Sequence, residues 1–204
     1  MPARCNVLVL ESERGAADEA RAELTAAGHR VLLCHDDGAA VFPCNALAEG
    51  HRCPIHSDTV DVVLDVRPRP RSQPSAREDG VRCALTHHIP VLVAGPDVMS
   101  PYEDFAVTTV ERTHGIVEAC EEVARAPLPA HTAAADRALS TLLAGRGSDV
   151  PALVAVHRRH GSLVVEVRSG GAFDEATRSM ASVRMIAAVR EVDRETKGID
   201  VVFQ

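Results

Sequence analysis

The chain has 204 residues, a formal net charge of −7, 46% hydrophobic and 25% charged side chains, and no Trp. That composition supports a packed core, and it excludes a disordered chain, a strongly basic nucleic-acid binder and an aromatic stacking platform. Twenty-one of the 22 basic residues are Arg; Lys197 is the single Lys.

The first predicted element is a buried strand over Asn6 to Leu10 (NVLVL), bounded by the polar Glu11-Ser12-Glu13. Residues 14–27 follow with Ala17, Ala20, Leu24 and Ala27 at helical spacing, and Gly28 stands at the helix C-cap. A second strand covers His29 to Cys34, and a third, Val60 to Val66, runs into the proline-rich Arg67 to Pro74. A short helix closing over Cys83 to His88 leads to a fourth strand, Pro90 to Ala94. A fifth strand, Phe105 to Val110, precedes a helix over about 114–125. Continuous apolar strands alternating with helices predict a five-stranded parallel sheet, covered on both faces, of the flavodoxin-like α/β class.

The segment Ala126-Pro127-Leu128-Pro129-Ala130 marks a linker, placed at 127–131, between a domain over 1–126 and a second over 132–204. Beyond it the pattern is a helix over about 132–144, strands over Ala152 to His157 and Ser162 to Arg168, a helix from Asp174 to Val192, and a strand from Ile199 to Phe203. This α-β-β-α-β order describes a small α+β domain. Its long helix is expected to bury Ala176, Met180, Val183 and Ala187. The charge divides unevenly: residues 1–130 carry 12 basic and 20 acidic side chains, and residues 131–204 carry 10 and 9. Neither half reads as a nucleic-acid module. No apolar run is long enough for a membrane span, and the N-terminal segment lacks the form of a signal peptide, so a cytoplasmic protein is expected.

Between the second and third strands stands a segment with three cysteines and three histidines within the 23 residues from Cys34 to His56. Thiolate and imidazole are ligands for zinc and for iron–sulfur clusters. Nine residues separate Cys34 from Cys44 and eight separate Cys44 from Cys53, which matches no CxxC knuckle but permits a loop around one ion. Pro43 and Pro54 flank Cys44 and Cys53, and His56 and His51 are the candidate fourth ligands. Two other readings stand beside this one: packing cysteines with exposed histidines, or a redox pair such as Cys44–Cys53. Cys5, Cys83 and Cys120 stand alone and read as core. Arg67, Arg69 and Arg71 alternate with prolines and read as a solvated loop, with phosphate binding or pairing to acids as the alternatives.

The first half resembles a response-regulator receiver domain over about residues 5–126. The resemblance rests on Val7-Leu8-Val9-Leu10-Glu11-Ser12, where that family has a strand ending in two acids, and on Val60-Asp61-Val62-Val63-Leu64-Asp65, where it places its phospho-acceptor. It implies Asp65 as acceptor, with Glu11 and the nearby Glu13 forming an acidic pocket for Mg²⁺. The family's hydroxyl after strand four is missing from Ala94-Gly95-Pro96, and its lysine near strand five is missing from Thr108-Thr109-Val110-Glu111. The expectation is therefore a pseudo-receiver: a regulatory protein, not an enzyme, that senses metal or redox state through its Cys/His cluster and acts through a protein partner or a second copy of itself. A phospho-accepting regulator using Asp65 with Mg²⁺ is the alternative, and a ligand-free interaction scaffold is a further one. The second half loosely resembles small bacterial domains such as BON.

Overall fold

The computed structural model describes residues 4–35, 41, 44–47, 52–57, 59–96, 99–111, 114–148, 150–159, 162–194, 196 and 198–204. The chain divides into two compact units, Met1–Ala124 and Arg125–Gln204.

The first unit is a five-stranded, all-parallel sheet of β1 (Asn6–Glu11), β2 (Arg30–Leu33), β3 (Val62–Val66), β4 (Val91–Ala94) and β5 (Thr108–Val110) in the order β2-β1-β3-β4-β5. This is the expected α/β, flavodoxin-like architecture. Side chains alternate across each strand, so consecutive apolar residues feed two cores. Val7, Val9, Val62 and Leu64 meet helices α1 (Asp18–Ala26) and α4 (Ile116–Arg125) on one face. Leu8, Leu10, Val63 and Val93 meet α3 (Asp79–Thr86) on the other, with Ile55 of the short α2 (Pro54–Ser57) packed alongside. Asp18 and Glu19 occupy the first turn of α1, where the helix dipole favours negative charge, and Ala20 and Leu24 are its buried pair. The fifth strand is shorter than the sequence suggests: Phe105 and Val107 are exposed, and pairing with β4 begins at Thr108.

Gly95, just past β4, adopts φ +148°, and a Cβ there would run into the carbonyl oxygen of Arg67. Gly95→Ala is therefore expected to lower stability by about 1–3 kcal/mol, read as a shift of the urea midpoint. An unchanged midpoint would mean that the β3 and β4 ends are not held at this separation.

The second unit is a mixed three-stranded sheet in the order β6-β7-β8, formed by β6 (Ala152–Arg159), β7 (Ser162–Ser169) and β8 (Ile199–Phe203). β6 pairs antiparallel to β7, and β8 pairs parallel to it. Helices α5 (Pro129–Gly145) and α6 (Glu175–Val192) join the sheet in a common core. Pro129 stands at the start of α5, where its missing N–H goes unused, so the helix takes in Pro129 to His131 of the segment read as linker. Asp174 caps α6 by accepting from the Thr177 N–H at 2.6 Å, which holds its carboxyl below the usual range.

The buried row of α6 differs from the expected one. Thr177, Ala181, Met185 and Val189 face the core, while Met180 and Val183 are exposed. Adjacent rows of this helix are both apolar, so periodicity does not choose between them. Among the described residues, no helix is long and apolar enough to cross a membrane.

Candidate functional site

Two groups of side chains in the first unit contain the candidate residues singled out from the sequence. One lies at the carboxyl ends of β1 and β3, the position where open α/β sheets bind ligands. The other lies beyond the end of the edge strand β2.

Asp65 is next to last in β3, between Leu10 of β1 and Val93 of β4. Two residues on from Val63, it shares the α3 face with it and is wholly buried. Arg67, two residues on, is also buried, which corrects its reading as a loop side chain in solvent. Its Nη1 pairs with Glu78 Oε1 and stands 3.5 Å from Asp65 Oδ2, and its Nη2 donates to the Arg71 carbonyl at 2.8 Å. Glu78, fully buried, accepts from the Ser75 N–H with its second oxygen. The Arg67 guanidinium carbon lies 5.9 Å from the centre of the Tyr102 ring.

One cation thus answers two interior carboxylates. Burial pushes the Asp65 carboxyl well above the usual carboxylate range; the charge of Glu78 adds to this, and Arg67 works against it. An acceptor aspartate must reach a phosphodonor and a metal ion, and here the carboxyl is closed from solvent.

The two acids of the expected Mg²⁺ pocket are held by arginines of the same β3–α3 connection. Arg77 Nη1 lies 3.2 Å from Glu11 Oε1, and Glu11 Oε2 accepts from the Ala17 N–H at 3.3 Å. Arg69 grips Glu13 through two nitrogens, with Nε to Oε1 at 3.0 Å. The hydrogen bond from Arg69 holds the Glu13 carboxyl below its ordinary range. Arg77, Arg69 and Arg67, all from one connection, thus pair with Glu11, Glu13 and Asp65, the last as an ion pair that Arg67 shares with Glu78. Beside Glu11 and Arg77, a cleft of about 260 Å³ opens at the ends of β1 and β2, lined also by Arg14, Asp18, Arg21 and Cys34.

The second group begins at Cys34, the first residue past β2. It is half-buried, and its Sγ packs against Gly80 in the first turn of α3; a Cβ on Gly80 would stand 3.0 Å from that sulfur. Cys53 begins α2, its carbonyl accepting from the His56 and Ser57 N–H groups at 3.1 and 2.8 Å. Cys44 sits at the start of a 3₁₀ turn over Asn45–Leu47, where its carbonyl accepts from the Leu47 N–H at 3.0 Å. The His56 ring meets the His87 ring edge to face, with centres 4.8 Å apart, joining α2 to the end of α3. His51 lies outside the described residues.

Cys83 belongs to this neighbourhood, which corrects its reading as core. It is exposed on α3, whereas Cys5 and Cys120 are buried. Burial pushes the Cys34 thiol up to about 12, and the charges of Cys53, Cys83 and Cys44 add to the effect. Burial also raises Cys83, with Cys53, Cys44 and Asp79 contributing. A coordinated metal reverses this balance, because a ligating thiol is deprotonated outright. Among the described residues, no three His, Cys, Asp or Glu side chains already stand in coordinating arrangement. The four thiols are electrostatic neighbours short of that contact.

Sequence reasoning places Arg67 in a solvated loop with pairing to acids as an alternative, takes Cys83 as core, and passes over Glu78. Arg67 and Asp65 share a side because they are two residues apart, a parity that was open to reading. Glu78 and Cys83 had no such local signal. No protein-family model, no curated protein and no solved structure matches the chain.

Proposed function

We propose that the chain is a regulatory protein whose first unit is a pseudo-receiver, responding to a thiophilic metal or to redox state through Cys34, Cys44, Cys53 and the histidine His56. It then acts through a protein partner or a second copy of the chain. The observation that supports this reading is the packing of the Cys34 sulfur against Gly80 of α3, with α2, which follows Cys53, joined to the end of α3 through the rings of His56 and His87. The engagement of Glu11, Glu13 and Asp65 by Arg77, Arg69 and Arg67 supports a site that does not depend on phosphoryl chemistry. Zinc or an iron–sulfur cluster suits the thiolate donors, whereas Mg²⁺ prefers oxygen ligands. Loss of the bound group would release the 34–56 segment, changing the surface offered to a partner.

Elemental analysis and a visible spectrum of anaerobically isolated protein test the reading. The wild type is expected to carry about one metal centre per chain, as one closed structural site holds one ion. Cys44→Ser and Cys53→Ser should each reduce its retention by about tenfold or more, at least the loss seen when only a supporting partner is removed. Wild-type protein without metal, whose thiols also respond to no oxidant, would overturn the proposal. Incubation with a small phosphodonor and Mg²⁺ should leave the chain unmodified. Uptake that disappears in Asp65→Asn would instead favour the phospho-accepting alternative.

A further inference from the structure

We infer that α6 is a self-association surface: two copies of the chain pair through the outer faces of this helix, running antiparallel about a twofold axis. This narrows the partner left open above to a second copy of the chain, and it draws on no cysteine.

α6 is apolar on two sides. Its inner row, Thr177, Ala181, Met185 and Val189, is buried in the second unit, where α5 and the sheet share its core. Its outer row is Ala176, Met180, Val183 and Ala187, and all four are exposed. Met180 is 39% exposed and Val183 66%, so the two bulkiest members stand in water. A solvent-facing helix ordinarily carries polar residues on that side. The neighbouring α5 does so, turning Asp136, Arg137, Ser140 and Thr141 outward. Steps of four, three and four residues along the outer row make the narrow seam that paired helices bury between them.

The order of residues in the row says what covers it. It reads Ala-Met-Val-Ala, small at both ends and bulky in the middle. Its midpoint falls between Met180 and Val183. Inverting the helix about that point sets Ala176 against the second copy's Ala187, and Met180 against the second copy's Val183. A twofold interface requires a self-complementary patch of this kind.

Charge selects the same direction. Glu175 and Arg190 are exposed on one flank of the row, at opposite ends of the helix. Inversion brings each Glu175 within two residues of the other copy's Arg190, about 3 Å along the axis, and the contact occurs twice. It also sets the positive N-terminal end of each helix beside the negative C-terminal end of the other. Parallel pairing would instead oppose Glu175 to Glu175 and Arg190 to Arg190, a like-charge cost. Arg190 is already steadied, because its Nη1 donates to the Thr196 carbonyl at 3.1 Å, so pairing orders less side chain.

Sedimentation equilibrium of the full chain, with reductant and chelator present, tests this over about 1 μM to 1 mM. Those additives remove disulfide and metal bridges between copies, so the mass reports the helix surface. It should climb with concentration toward twice the mass of one chain. Val183→Glu should raise the dissociation constant by about a hundredfold or more, because each dimer buries the new carboxylate twice. Its circular dichroism and urea midpoint should match the wild type, since Val183 is exposed in the single chain. Glu175→Arg and Arg190→Glu should each weaken association by about tenfold, through two repelling contacts per dimer. Mixed together, these two variants should form a heterodimer about as tight as the wild-type pair, because each charge then meets its opposite.

A single-chain mass throughout the range, or unchanged association in Val183→Glu, overturns the inference. Dissociation by Val183→Glu without recovery in the mixed charge variants overturns the antiparallel pairing. Each result is independent of metal content, so failure here leaves the thiol reading to its own test.

Discussion

Replacing Arg67 with Met lowers the folding stability of the first unit by about 3–5 kcal/mol, the expected cost of removing one partner from a buried ion pair. The cost is not the loss of a favourable contact alone. Arg67 stands between Asp65 and Glu78, and all three side chains are essentially inaccessible to water. Without the guanidinium, two carboxylates remain in a low-dielectric interior with no cation, and each must either stay charged at high cost or take up a proton. Methionine keeps much of the side-chain volume, so the loss reports charge more than a cavity. Adding Asp65→Asn and Glu78→Gln to Arg67→Met should recover part of the stability, because the stranded charges are then gone. Urea unfolding of the wild type, Arg67→Met and the triple variant measures this. A loss below about 1 kcal/mol for Arg67→Met, in the range of an exposed ion pair, would show that the triad is not desolvated in solution.

Asp65→Asn has the opposite sign at neutral and alkaline pH. The Asp65 carboxyl is pushed up to about 8, by burial first and by the charge of Glu78 second, against 3.8 for an unperturbed aspartate. A group whose folded pKa is raised contributes stability that is fully present below its unfolded pKa and is lost as pH rises through the folded one. Wild-type stability from this residue therefore falls between roughly pH 4 and pH 8. The asparagine does not titrate and leaves Arg67 paired one-to-one with Glu78. Relative to wild type, the variant should gain on the order of 1–3 kcal/mol near pH 8, with the gain shrinking toward pH 5. The difference between the two proteins is the quantity to follow, because other acids have the reverse dependence. Asp193 is one: burial opposes its ionisation, but His131 and Arg158 prevail and hold it at about 2. A stability difference that stays flat from pH 5 to pH 9 would rule out a titrating Asp65.

The strands of both units were legible because each is a short apolar run bounded by turn residues, and the alternation of strands with helices is enough to name the sheet class. What stayed hidden depended on residues brought together by the fold. Arg67 has the sequence context of an exposed proline-rich loop, and its burial follows from a partner, Glu78, eleven residues away on the far side of that loop. Cys83 sits in a helix whose phase is set by burying its own Gly80 and Val81 against the sheet, Leu10 of β1 included, which no spacing between cysteines encodes. In the second unit, α6 carries two apolar rows side by side, and only contact with α5 and the sheet decides which is buried. Arg67 and Arg69 have the sequence context of a solvated loop, with pairing to acids as the alternative, and that pairing is what the structure holds: Arg67 with Asp65 and Glu78, and the exposed Arg69 with Glu13.

The connection from β2 to β3 has a consequence for proteolysis. Its described residues include one four-residue helix and a three-residue 3₁₀ turn, with Leu47 exposed and Ile55 packed on the α3-side core. A full crossover helix resists cleavage because its backbone is withdrawn into hydrogen bonds over several turns. Under the proposed function, tying the cysteines together would add protection of that kind to the connection. Arg52, next to Cys53, then makes the segment's susceptibility to trypsin a direct report of whether the thiols are tied.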